Sequence, residues 1–145
     1  MNLSIATEDK GWDAIPDLEE LATRAVTAAM PKESEAEVSL LFAGDAQVAE
    51  LNQRWRGKQG PTNVLSFPAP KGMEALGDIV LASGVVTREA SEQRKSFADH
   101  TTHLIVHGVL HLLGFDHQSD SEAQEMEARE IVILEELGIT NPYHS

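Results

Sequence analysis

Apolar and polar positions follow two periods along this chain. Asn2 to Ala6 alternate singly, which puts Leu3 and Ile5 on one face of a short strand. Past a turn at Lys10 and Gly11 the period lengthens. Pro16 suits a first helical turn, and Leu18, Leu21, Ala22, Ala25, Val26 and Ala29 form a helical stripe to about Met30, closed by Pro31. Glu37 to Ala43 is rich in strand formers. Gly44 supplies a turn and Asp45 an N-cap for a second helix running to about Arg54, with Val48 and Leu51 inward. Arg54 to Pro61 reads as a loop, Val64 to Phe67 as a strand stopped by Pro68, and Ala69 to Leu76 as a mobile connection. Gly77 to Ala82 is a further apolar strand. Ser83 is a fitting cap for a helix through Val85, Val86 and Ala90 to about Lys95. Phe97 to Leu113 predicts the longest apolar helix. An acidic helix from about Ser121 to Leu137 follows, with Met126, Ile131, Val132 and Leu134 apolar and Gly138 as its C-cap.

Strands gather in the first half and helices in the second. The expected fold class is therefore α+β: a small mixed four-stranded sheet packed with about five helices, the histidine-bearing helix central. No repeat, low-complexity tract or linker divides the chain, and 145 residues suffice for one core, so a single domain over residues 1–145 is expected.

Composition narrows the chemistry. There is no cysteine, so disulfides and thiolate ligands are excluded and any metal must sit on nitrogen or oxygen. The N-terminal residues lack the basic start and long apolar run of a secretory signal, and the longest apolar stretch is interrupted by histidines. A cytoplasmic location with no membrane partner is expected. A net charge of -13 argues against a protein that coats nucleic acid over its whole surface. The charge is segregated, however: between Arg54 and Lys95 seven basic residues face four acidic ones, so a phosphate backbone could be accepted locally.

The strongest chemical signal is HLIVHGVLHLLGFDH, from His103 to His117. His103, His107 and His111 are four apart and share one helical face. Gly114 is placed to end that helix in a left-handed turn and bring His117 back toward the others. His107, His111 and His117 thus form HxxxHxxxxxH, three nitrogen donors that suit one Zn2+ ion with a coordination position left open. His103 taken alone reads better as a satisfied core histidine than as a ligand. The spacing matches the metallopeptidase pattern HExxHxxGxxH with one difference: Gly108 stands where that pattern has its glutamate general base. A zinc metallopeptidase-like hydrolase would have to draw a base from elsewhere, for example Asp116.

Three separated blocks resemble the bacterial YbeY endoribonuclease family of ribosomal RNA maturation factors. HGxLHLxGxDH is met by His107, Gly108, Leu110, His111, Leu112, Gly114, Asp116 and His117. LNxxxRGxxxPTxVLSFP is met by Leu51, Asn52, Arg56, Gly57, Pro61, Thr62, Val64, Leu65, Ser66, Phe67 and Pro68. A GDI strand appears at Gly77, Asp78 and Ile79. The resemblance implies a metal-dependent, single-strand-specific endoribonuclease acting in small-subunit ribosomal RNA maturation and ribosome quality control, with zinc on the three histidines. Its implied partners are single-stranded RNA, the small ribosomal subunit and its rRNA, ribosomal proteins and assembly GTPases. Asn63 falls at a position where family members carry Asp or Asn, and no acid or base duty is assigned to it.

Within the matched block Arg56 gains a specific reading, because a guanidinium offers paired donors to phosphate oxygens and, opposite a metal, would stabilise charge building on phosphorus. The expected catalytic set is Arg56, His107, His111 and His117. His103, Asp116, Asp78 and Lys58 are expected to support ligands or substrate from further out. Trp55 could stack on an unpaired base, although a tryptophan at a helix end is more often core. Ser66 is expected to serve its strand, since no base is predicted beside it. A metal site of this kind also suits a ribosome-assembly factor that binds RNA around a structural zinc without cutting it.

Overall fold

The computed structural model describes residues 2–70, 72, 74–115 and 119–143. Strands β1 (Asn2–Thr7), β2 (Glu37–Ala43), β3 (Val64–Pro68) and β4 (Ala75–Ala82) form one sheet in the order β1-β2-β4-β3. β1 and β2 pair in parallel, as do β2 and β4, with Leu40 beside Ile79 and Phe42 beside Leu81. β3 runs antiparallel to β4 and ends the sheet. Five helices accompany it: α1 (Leu18–Ala29), α2 (Asp45–Arg56), α3 (Ser83–Glu92), α4 (Phe97–Leu112) and α5 (Asp120–Glu136). This is the expected mixed α+β architecture.

Strand alternation divides the interior in two. Val38, Leu40, Phe42, Ile79 and Leu81 face the larger core, built against Ala22, Ala25 and Val26 of α1 and Ile105, Val106 and Val109 of α4. Ala43, Val80 and Ala82 face the other way and pack with Leu65 and Val48 of α2. Helices α2 and α4 therefore lie on opposite faces of the sheet.

α4 is fixed at both ends. At its start, Ser96 accepts a hydrogen bond from the Asp99 N–H at 3.0 Å, and Phe97 stacks on the buried Trp12 at 5.1 Å between ring centroids. Trp12 is in turn tied to the sheet, where its Nε1–H donates to the Ala43 carbonyl at 2.8 Å. At the other end Gly114 takes φ +104, while the Phe115 N–H reaches the Leu110 carbonyl at 3.0 Å. That is the reversal expected of this glycine.

Several boundaries and caps differ from expectation. α2 continues through Trp55 to Arg56 and stops only where Gly57 turns left-handed at φ +65, so these two residues are helical rather than loop. β4 begins at Ala75, inside the segment expected to be a connection, because Ala69 N–H bonds to the Leu76 carbonyl at 3.0 Å. α3 ends at Glu92, before Arg94 reverses the chain at φ +57. Asp45 does not cap its own helix. Its carboxylate accepts from the Val85 N–H of α3 and pairs with Arg88, both at 3.1 Å. Ser83 is likewise no cap: its hydroxyl donates to Asp9 at 2.6 Å.

Candidate active site

α4 passes over β3 and β4 closely because Gly108 has no side chain. A Cβ there would meet Ile79 at 3.1 Å and the Ser66 hydroxyl at 3.2 Å. A glutamate at this position would have to enter the contact between helix and sheet, so the missing carboxylate of the peptidase pattern has a packing reason. The neighbouring faces of α4 carry the imidazoles. His107 and His111, one turn apart, have ring centroids 4.8 Å apart at an interplanar angle of 78°. Both line a cavity of about 530 Å³ together with Arg56, Asn63, Val64, Ser66 and Phe115.

Arg56 arrives from the opposite face of the sheet. It stands at the C-terminal end of α2, and the cavity forms where that end meets α4 around the edge strand β3. Val64, Ser66 and Pro68 supply the wall because alternate residues of a strand point the same way. Edge position is what lets an arginine from one face and histidines from the other share a space.

Behind the histidines lies a carboxylate outside the expected set of site residues. Glu130 of α5 is fully buried, at 0% exposure. His107 Nδ1–H donates to its Oε1; the Tyr143 hydroxyl donates to Oε2, as does His103 Nε2–H at 3.1 Å. Burial pushes the Glu130 carboxyl upward, but the bonds from His103, His107 and Tyr143 outweigh it and hold the pKa at about 2. Burial and the Glu130 carboxylate together raise the Tyr143 hydroxyl well above its ordinary value. An ionised Glu130 is an acceptor only, which places a proton on His107 Nδ1, so that in the neutral imidazole Nε2 is the nitrogen with the lone pair. This arrangement fits a metal ligand supported by a carboxylate. The signal was present in the sequence: Met126, Glu130 and Leu134 are four apart, which places the glutamate on the buried stripe of α5.

The remaining expected residues separate. His103 contacts Glu130 and Tyr143. Asp78 is exposed and alternates with Ile79 onto the face away from α4, where it lines a groove with Leu51 and Trp55; the expected support of the histidines from Asp78 is corrected by this strand register. Trp55 is 66% exposed in that groove and is not core. Lys58 is exposed just beyond Gly57. His117 and Asp116 lie outside the described residues. Among the described residues, no three His, Asp, Glu or Cys side chains converge in a metal-binding group.

The family model described as Endoribonuclease YbeY matches residues 4–138. A protein of that name from Azorhizobium caulinodans is 46% identical, the alignment covering 99% of this chain and 96% of the relative. One from Dinoroseobacter shibae is 48% identical, covering 99% and 91%. The solution structure of a Thermotoga maritima protein is similar to this fold, with a TM-score of 0.60, 25% identity and coverage of 99% and 96%.

Proposed function

Because this chain belongs to the endoribonuclease YbeY family, we propose that it cuts single-stranded RNA at the edge-strand cavity, with Arg56 and the histidines acting on one phosphodiester. The protein is an endoribonuclease, a hydrolase of phosphodiester bonds, in the maturation of ribosomal RNA. The observation that carries the site assignment is that Arg56, His107 and His111 line the same cavity of about 530 Å³. Arg56 binds two non-bridging oxygens of the scissile phosphate and stabilises the charge that builds there. Glu130 accepts from His107 Nδ1–H and so holds a proton on that nitrogen and the ring in one orientation.

His107, His111 and His117 are the residues that would hold a metal, and their all-nitrogen donor set suits a single zinc ion. When bound, such an ion supplies Lewis acidity toward the phosphate. Gly108 leaves the peptidase route without its base, which favours RNA over peptide as substrate. The wider reading places residues 1–145 as one domain in the cytoplasm, acting on the small ribosomal subunit and its rRNA alongside ribosomal proteins and assembly GTPases. Among the described residues no helix is long and apolar enough to cross a membrane.

The test strips and restores metal in purified protein and offers labelled single-stranded RNA and a peptide to the wild type and to His111→Ala. The expected result is metal-dependent RNA cutting lost in the variant, with the peptide intact. Cutting that persists in the variant points to a contaminating nuclease and overturns the reading. RNA binding without cutting transfers the protein to the assembly-factor class with a structural zinc.

A further inference from the structure

A second cavity, of about 380 Å³, adjoins the first and shares Asn63, Val64 and His107 with it. Glu89, Gln93, Lys95 and His100 line it from the corner between α3 and α4, and Tyr143 closes another side. The phosphate chemistry described above uses none of these five side chains at the reacting atoms.

Glu89 is the hub of the corner. Its Oε1 accepts from Asn63 Nδ2 at 3.0 Å and from His100 Nε2 at 2.9 Å. His100 is buried, whereas the Glu89 side chain keeps 30% of its exposure. The carboxylate is therefore anchored through one oxygen, and the side chain stays partly exposed where it lines the cavity. Arg94, in a left-handed conformation uncommon for a residue with a side chain, folds the chain so that Lys95 lines the same space. The result is a fixed acceptor and a donor on one wall, next to His107.

An endonuclease must place nucleotides on both sides of the bond it cuts, and the base beside the reacting phosphate needs a space adjoining it. We propose that this second cavity receives the base of a nucleotide flanking the scissile phosphate and that Glu89, with Lys95, favours guanine there. The inference rests on the endoribonuclease reading. Guanine presents N1–H and N2–H donors along one edge with the O6 acceptor beside them, the complement of a carboxylate next to an ammonium. Uracil offers a single N–H between two carbonyls and sets an acceptor against the carboxylate.

The test uses metal-loaded protein and unstructured RNAs identical except for one nucleotide at the cleavage position: guanosine, inosine, which lacks the N2 amino group, or uridine. In direct competition the guanosine RNA is expected to be cut about tenfold faster than either alternative. Glu89→Gln is expected to erase that preference while the uridine RNA is still cut. Lys95→Met, which leaves the Glu89–His100 pair in place, is expected to weaken it and decides the matter if Glu89→Gln does not fold. Cutting by the wild type that ignores the base, or a preference that survives in the folded variants, overturns the subsite alone. Failure of the wild type to cut any of the RNAs overturns the endoribonuclease reading and the subsite with it.

Discussion

Glu130→Gln is the most informative perturbation of the scaffold. Donors from His103, His107 and Tyr143 converge on the two carboxylate oxygens. An amide has one oxygen and one NH2 group, so either orientation sets an N–H against a donor in a fully buried place. The carboxyl has a pKa of about 2 against an ordinary 4.5. At roughly 1.4 kcal/mol per pH unit, that gap is worth about 3 kcal/mol of stability from the ionised form. A group whose folded value is depressed contributes fully above its unfolded value and loses the contribution as pH falls through the folded one. The assay is urea denaturation of metal-free protein, wild type against variant. A loss of about 3 kcal/mol is expected at pH 7, with the difference shrinking as the pH falls below about 4.5. A loss below about 1 kcal/mol at pH 7, or a difference that stays constant down to pH 3, would refute the account of Glu130 as an ionised hub.

Two further predictions concern packing and proton linkage. Gly108→Glu is expected to cost about 3 kcal/mol or more in denaturant unfolding, since it overfills the contact with Ile79 and Ser66 and buries an unpaired carboxylate, and to create no peptidase activity; a well-folded variant would show that α4 can lift from the sheet. Burial lowers the His100 pKa despite the opposing hydrogen bond and charge of Glu89. The unfolded chain therefore takes up the proton first, and His100 should subtract stability as pH falls below its ordinary 6.5. His100→Asn should flatten the loss between pH 7 and pH 5 in paired melts, and an unchanged slope would contradict the assignment.

The histidine helix and its stop were legible because both depend on local rules: a four-residue spacing sets a helical face, and a glycine accommodates the φ +104 that Gly114 adopts. The meeting of Arg56 with that helix was legible only through the resemblance, since the two segments come from opposite faces of the sheet and join around β3. Glu130 was obscured by an acidic helix in which one carboxylate among many looked solvated, although its spacing from Met126 and Leu134 marked the buried side. Asp78 was misplaced for the opposite reason. Its neighbours in sequence belong to the core against α4, and a strand turns each successive residue to the other face. Asp45 and Ser83 had the residue types of caps, but tertiary partners across the α2–α3 corner and at Asp9 claimed their side chains.

In the proposed reaction one phosphate is held between the α2 arginine and the α4 histidines. Its most direct test is single-turnover cutting of a labelled single-stranded RNA by Arg56→Ala, with bound metal quantified in the same sample. A fall in the cleavage rate of about 100-fold or more is expected at unchanged metal content and fold. A variant that holds its metal and cuts at the wild-type rate would contradict it.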